Sequence, residues 1–240
     1  GHRLRESKKE GMREVNLLSS SLVLDAASEY GCQRFIFAST DSVYGDQTGL
    51  LFETTPPAPK SFYSRLKLRM EERILKSERY DFNPCVMRIC NCHGYSPRMR
   101  FDLIANMLVR DAVLQNKIIL KSGEQWRAFM NVQDAARAIY MACTAHETAI
   151  SGEVFNVGAP DQNIKLIQLA NIVGSLFPDI QIEIEEEEAD LTDYQLGFSK
   201  IERSIGFRAE ISLKDSLKEL ADIIRDGRIR DPYSGIYSST

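Results

Sequence analysis

EVNLLSSSLVLDAASEYG at 14–31 is followed, after a single cysteine, by QRFIFAST at 33–40. The first segment puts Val15, Leu18, Leu22 and Ala26 on one helical face, and Gly31 follows as a stop signal. The second is a short apolar run rich in Phe and Ile, bounded by Gly31 before and Thr40-Asp41-Ser42 after, and it reads as a buried strand. Outward from this pair, 45–61 carries Gly45, Gly49, Pro56, Pro57 and Pro59 and reads as a loop. Ser61 then caps a helix running to about Glu78, and CVMRICN at 85–91 reads as a second strand closed by Gly94 and Pro97. Helix, strand, loop, helix, strand is the order of an α/β fold: a parallel sheet with covering helices. Ligands of such sheets bind beyond the carboxyl ends of the strands, where AST-DS-VYG and RICN-CHG place polar residues.

The remainder continues the alternation. Residues 1–12 are polar and read as frayed or linker-like. A helix at about 101–115 has Ile104, Met107, Leu108 and Ala112 on one face, and KIILK at 117–121 is a short strand. GEQWRAFMNV holds Trp126 and Arg127 and ends strand-like, before a helix at 133–146 with Ala135, Ile139 and Cys143 turned inward. GEVFNVG at 152–158 is another buried strand, followed by a helix at 164–176, the alternating QIEIE, two helices at 199–205 and 213–226, and an irregular tail. The acidic run EIEEEEAD at 183–190 reads as a solvated edge strand or loop.

The 240 residues, 43% hydrophobic and 27% charged, suit a soluble globular chain with a real core. A net charge of −4 gives no general attraction for nucleic acid or anionic membrane. No apolar run approaches the roughly 20 residues that span a bilayer, and GHRLRESKKEGMREV has no signal-peptide core. Five cysteines without framework spacing point to reduced thiols and a cytoplasmic setting.

Chemistry centres on SFYSRLKLRMEER at 61–73. Tyr63 and Lys67 lie four residues apart, on one helical face, at the border of a core stripe of Phe62, Leu66, Met70 and Ile74. An ammonium beside a phenol favours the phenolate and draws its pKa toward neutrality. Taken alone, a surface tyrosine and a solvated lysine are the plainer reading. Cys90, Cys92 and His93 form C-x-C-H with no second half of a zinc pattern. Strand alternation sends both cysteines to one buried face, so no metal is expected. Arg88 is expected to have a structural partner near its strand.

Several segments, in order, resemble one family. EVNLLSSSLVLDAASEYG with Asn16 and QRFIFAST, then STDSVYG at 39–45, Tyr63-xxx-Lys67, MRICNCHG at 87–94, RAFMNVQDAARA at 127–138, EVFNVG at 153–158 and Ser-Lys-Ile…Ile-Gly-Phe at 199–207 are similar to the extended short-chain dehydrogenases/reductases. The narrower likeness is to their nucleotide-sugar epimerase/dehydratase branch, and it spans about 14–227. It implies a partial Rossmann-type parallel sheet with a small C-terminal α/β substrate-binding region. In that division 1–95, continued at about 131–160, belongs to the dinucleotide-binding domain, and 96–130 with 161–240 to the substrate region.

The same resemblance implies roles. Tyr63 is the acid/base, Lys67 holds the nicotinamide ribose, and Thr40 orients the substrate oxygen, although a strand-end turn also explains Thr40. NAD is the expected cofactor, with NADP not excluded, near Asn16, Ala38, Ser39, Tyr63, Lys67 and Ile89. A nucleotide-diphosphate sugar is the expected substrate, near Asp41, Ser42, Asn91, Arg98, Arg100 and Arg127, an arginine fork suiting a diphosphate. Arg98 and Arg100 can equally be solvated loop residues. Ser42 stands where the 4,6-dehydratases of the family carry a glutamate base, which favours epimerase or ketoreductase chemistry over dehydration; a 4-epimerase is the first reading, with a 4,6-dehydratase or ketoreductase of the same family as the alternative. His93 replaces a family tyrosine. A homodimer through the 15–30 and 61–78 helices is expected by analogy.

No G-x-G-x-x-G or G-x-x-G-x-x-G occurs in the sequence. The chain opens where the family's fourth helix is expected, so the resemblance implies a truncation or fragment lacking the first three βα units, with strand 33–38 at an open apolar sheet edge. A non-catalytic relative used for binding or assembly is the alternative from another class.

Overall fold

A computed structural model describes residues 6–185 and 193–238. Helix α1 (Glu6–Arg13), a π-helical stretch Glu14–Ser19 and α2 (Ser20–Glu29) run end to end and lead into β1 (Arg34–Thr40). A 3-10 turn Asp41–Tyr44, β2 (Thr48–Leu51), α3 (Phe62–Leu75), β3 (Asn83–Ile89) and β4 (Asn91–His93) follow. Next come α4 (Ile104–Gln115), β5 (Lys117–Lys121), β6 (Trp126–Asn131), α5 (Val132–Thr144) and β7 (Glu153–Val157). The chain continues through β8 (Asn163–Lys165), α6 (Leu166–Gly174), β9 (Gln181–Glu185), β10 (Asp193–Leu196), α7 (Ser199–Ile205) and α8 (Leu213–Arg225). No helix among the described residues is long and apolar enough to cross a membrane.

The fold is α/β. β1, β3 and β7 form a parallel sheet in that order, with β1 at an edge among the described residues. Thr40 lies level with Ile89, and Ile89 with Val157, so three carboxyl ends finish at one height. The apolar run of β3 is buried along Asn83–Arg88, as expected of a central strand covered on both faces. At Cys90 the chain leaves this sheet, and β4 joins a second one in the order β4–β6–β8, parallel then antiparallel. Two parallel pairs, β10 with β2 and β5 with β9, complete the framework.

Helix α3 is set by its cap and its stripe. Ser61 Oγ accepts from the Ser64 amide at 2.9 Å. Leu66, Met70 and Ile74 are buried, the last two against Leu24, Phe37, Phe82 and Val86. Burying each such side chain stabilises by about 1.5–3 kcal/mol. A second apolar cluster joins β3 and β7 to α5, α7 and β10 through Met87, Phe155, Ala138, Ile201 and Tyr194. A third lies around α4, α6 and α8 through Leu108, Leu169 and Leu217.

Several local expectations are corrected. The polar stretch ahead of residue 14 is helical from Glu6, and residues 1–5 lie outside the described set. On that helix Val15, Leu18, Leu22 and Ala26 face outward, while Leu24 is buried and Leu17 and Ala27 pack inward. The π-helical stretch adds to the turn and changes the phase on which the face was counted. α3 stops at Leu75, and Phe62 at its first turn is only half-buried. The 45–61 loop contains β2, and the 85–91 strand is two strands in different sheets. Cys143 is exposed, because the inward face of α5 is Ala135, Ala138 and Ala142. β9 is a largely exposed acidic strand, and the rest of the acidic run, 186–190, lies outside the described residues.

Candidate active site

Where β1 ends, Thr40 stays extended and its Oγ1 accepts from the Ser42 amide at 3.2 Å, capping the 3-10 turn. The same hydroxyl lies 3.1 Å from Ser42 Oγ and 3.4 Å from Asp41 Oδ1. The strand-end turn anticipated as the plainer role of Thr40 is therefore present, with the hydroxyl held at the strand tip. The turn closes at Gly45, whose φ is +70°, and a Cβ there would lie 1.9 Å from the Ala58 carbonyl oxygen.

α3 carries Tyr63 at its exposed first turn and Lys67 one turn deeper. Lys67 Nζ donates to the Ala38 carbonyl at 2.5 Å and sits 4.1 Å from the centroid of Phe37. Burial pushes the ammonium down to about 8, with Glu71 opposing. Burial pushes the Tyr63 phenol up; Arg100 draws it down and Asp41 pushes it further up. The expected pull of Lys67 on the phenol is thus corrected: the cation acting on Tyr63 is Arg100, since the Lys67 ammonium is turned toward β1.

Asp41 is buried, and burial raises its carboxyl to about 7 against the opposing charge of Arg127. Tyr194 donates to the Asp41 backbone carbonyl at 3.0 Å, tying the turn to β10. The thiols of Cys90 and Cys92 are pushed up by burial and by the charge of Asp41, that of Cys92 to about 12. They behave as small apolar side chains rather than nucleophiles.

Asp41 lies beside Thr40 and answers to the charge of Arg127, while Tyr63 answers to those of Arg100 and Asp41. The remaining candidates disperse. Ser42 is exposed beside Thr40. Asn91 donates to the Ala128 carbonyl at 3.2 Å, and Arg127 donates to the Trp126 carbonyl at 2.8 Å. Arg98 is exposed, whereas Arg100 is held by Asp102 through bonds of 2.6 and 2.7 Å. Both arginines line a cavity of about 210 Å³ with Cys92, His93, Ser96 and Asn106. A larger hollow of about 480 Å³, walled by Phe198, Ile201 and Phe207, contains none of the candidates. Of the cofactor candidates, Ala38 is exposed at the strand, Ser39 is buried and donates to Glu71, and Ile89 packs on the sheet cluster. The Asn16 amide turns back to the Met12 carbonyl at 3.1 Å on its own helix.

Some buried polar groups have partners that no spacing in the sequence signals. His93 Nε2 lies 2.8 Å from Gln162 Oε1, and Nδ1 lies 2.8 Å from Ser216 Oγ. Gln162 Nε2 donates to the Ile211 carbonyl, so its oxygen faces His93, Nε2–H donates, and Nδ1 accepts from Ser216. Burial pushes His93 down to about 4, which keeps it neutral. Arg88 meets the buried Glu71 at 2.8 Å, the structural partner its strand position suggested. Asp134 accepts from the amides of Glu210 and Ile211 and from Arg137.

Comparison with known proteins supplies the family. The model of the NAD-dependent epimerase/dehydratase family matches residues 1–158. A dTDP-glucose 4,6-dehydratase of Neisseria gonorrhoeae is 25% identical, covering 90% of this chain and 69% of its own length. An uncharacterised UDP-glucose epimerase of Bacillus subtilis is 25% identical, at 84% and 64% coverage. The chain thus spans roughly two thirds of the length of these curated relatives. Among solved structures, UDP-glucuronic acid 4-epimerase from Bacillus cereus in complex with NAD superposes with a TM-score of 0.80 at 22% identity, covering 93% of this chain and 72% of that one. UDP-glucose 4-epimerase from Thermotoga maritima with UDP-glucose gives 0.77 at 22% identity, with 92% and 73% coverage. A match over more than half of the residues, on a parallel sheet of the same fold, places the chain in the NAD-dependent epimerase/dehydratase family.

Proposed function

We propose that this chain carries the acid/base and substrate part of an NAD-dependent 4-epimerase of nucleotide-diphosphate sugars. The observation that carries the reading is Tyr63 on the exposed first turn of α3, with Lys67 one turn deeper on the same helix and bonded to the strand that ends in Thr40. The residues present fit the nicotinamide-ribose end of a dinucleotide. An ammonium has three hydrogens, one goes to Ala38, and the others suit ribose hydroxyls. In this reading 1–95 with about 131–160 hold the cofactor, and 96–130 with 161–240 hold the sugar nucleotide. Cofactor bound there supplies a reversible hydride acceptor.

Tyr63 takes the proton of a sugar hydroxyl as the carbon bearing it is oxidised, and returns it to the same oxygen when that carbon is reduced on its other face. Thr40 donates to the same oxygen and orients it. Arg100 favours the phenolate, and Arg127, Arg98 and Asn91 receive the diphosphate. The exposed Ser42, with an alcohol pKa far above neutrality, has no capacity for the base step of dehydration. One observation favours a 4,6-dehydratase as second reading: the Asp41 carboxyl, raised to about 7, is an acid suited to protonating a leaving hydroxyl.

Incubation with NAD and a panel of UDP- and dTDP-hexoses, with products identified by NMR, tests the choice. Inversion at one carbon without net cofactor consumption is expected. A 4-keto-6-deoxy product replaces the epimerase by the dehydratase, and no turnover with NAD bound or unbound favours a binding relative. Exposed Val15, Leu18, Leu22 and Val23 along the first helix support a homodimer through that helix and α3. Leu22→Glu is expected to yield monomers in sedimentation. The five free cysteines support a reducing, cytoplasmic setting.

A further inference from the structure

Glu71 lies one helical turn beyond Lys67 and two beyond Tyr63 on α3, so the three share a face. It is 1% exposed, and side chains from two strands reach it directly. From β1, Ser39 Oγ donates to its Oε1. From β3, Arg88 meets its Oε2 through Nη2 at 2.8 Å and Nε at 3.1 Å. Arg88 Nη1 also donates to Tyr44 Oη at 3.1 Å, and Tyr44 donates to Asn156 Oδ1 at 2.7 Å on β7. The Glu71 carboxylate is therefore held rigidly, directly by two strands of the main sheet and through Arg88 and Tyr44 by the third. A buried Arg–Glu pair is weak evidence of stabilisation, since desolvation offsets much of its attraction. Its position beside a second buried cation gives it another use.

We propose that Glu71 is a positioning residue whose carboxylate keeps Lys67 in its ammonium form, and that Arg88 limits how strongly it does so. The inference rests on the reading of Lys67 as a cofactor-holding residue. The signs follow from the charges. Lys67, Glu71 and Arg88 form a buried set of two cations around one anion. Removing the anion leaves two cations that repel, and Lys67 releases its proton more readily. Removing the second cation leaves Lys67 and Glu71 as an uncontested pair, and Lys67 holds its proton more firmly. The other charged groups near α3 do not share this role. Tyr63, on the same helix, answers to burial, Arg100 and Asp41 rather than to Lys67 or Glu71; and Asp25 of α2 is taken up by Arg73 at 2.8 Å.

The test is a direct titration of Lys67 by 13Cε NMR on lysine-labelled chain, the signal identified by its loss in Lys67→Arg. In the unaltered chain a midpoint near 8 is expected. Glu71→Gln should lower it by roughly one pH unit, and Arg88→Gln should raise it by about half a unit. A merely structural pair would change stability without moving the midpoint in opposite directions. Removing one partner of a buried pair strains folding, so each variant is first checked by circular dichroism. If a single variant is unfolded, the charge-neutral Glu71→Gln/Arg88→Gln chain replaces it, with a fall of about half a pH unit from the unaltered chain expected. Midpoints unchanged in the folded variants, or shifted the same way, overturn the proposal. Lys67→Met with undiminished NAD affinity, alongside opposite shifts, would leave the electrostatic coupling standing and remove only the cofactor role it serves.

Discussion

Lys67 of α3 donates to the carbonyl of Ala38 on β1, at 2.5 Å across 29 residues of sequence. The bond joins the helix to the strand two residues before Thr40. Lys67→Met keeps the stem and loses the charge. NAD affinity measured by calorimetry is expected to fall at least about tenfold, because each charge-assisted bond contributes roughly 1.5–3 kcal/mol. Thermal stability should change little, since relief of a desolvated ammonium offsets the lost bond. NAD binding at unaltered affinity would remove the ribose role from Lys67.

Tyr63→Phe deletes one oxygen at a position 36% exposed. The fold should lose no more than about 0.5 kcal/mol, as substitutions outside the core usually do. Turnover of the sugar nucleotide should fall by roughly 10²–10⁴-fold, the usual contribution of a positioned acid/base, with NAD affinity retained. Near-normal turnover in a stopped assay would assign the proton transfer to another group, Asp41 first.

The α/β class and the Tyr63–Lys67 pair were legible because their signals are local. Alternating apolar runs and a spacing of four need no tertiary information. The inward face of the first helix was not legible, because the π-helical stretch at Glu14–Ser19 changes the count along it. Arg100 was readable as a basic loop residue, but its pairing with Asp102 and its action on Tyr63 depend on how the loop before α4 folds back. The partners of His93 come from positions 162 and 216, far beyond any spacing rule. Glu71 looked like one more charge in an ordinary helical face, and only the register of β1 against β3 puts Ser39 and Arg88 upon it.

Gly45→Ala tests the turn that presents Thr40. A positive φ of +70° disfavours any side chain, and the Cβ would meet backbone, which has no rotamer to yield. Destabilisation on the order of 3 kcal/mol is expected, read from the midpoint of urea unfolding at constant slope. Gly49→Ala is the control. It also has a positive φ, +84°, but open space around it, so the loss should stay near 1 kcal/mol, the cost of the conformation alone. Equal losses in the two variants would show that the close approach to Ala58 is relieved by movement of the loop.

Asp41 and His93 bias stability against pH in opposite directions. The Asp41 carboxyl rises from 3.8 to about 7 on folding, so between those values the folded chain holds a proton the unfolded chain has lost. Its contribution is fully present below about 4 and is lost as pH rises through 7, at up to 1.4 kcal/mol per pH unit. His93 falls from 6.5 to about 4 on folding, so across nearly the same window the unfolded chain holds the extra proton. That contribution is fully present above about 6.5 and is lost as pH falls through 4. The two slopes nearly cancel between pH 4 and 6.5. Asp41→Asn should therefore make stability rise with pH across that window. His93→Gln should make it fall, beyond a uniform loss on the order of 2 kcal/mol from its broken bonds to Gln162 and Ser216. Urea unfolding at half-unit pH intervals measures both slopes, and parallel curves for the two variants would contradict the burial of these groups.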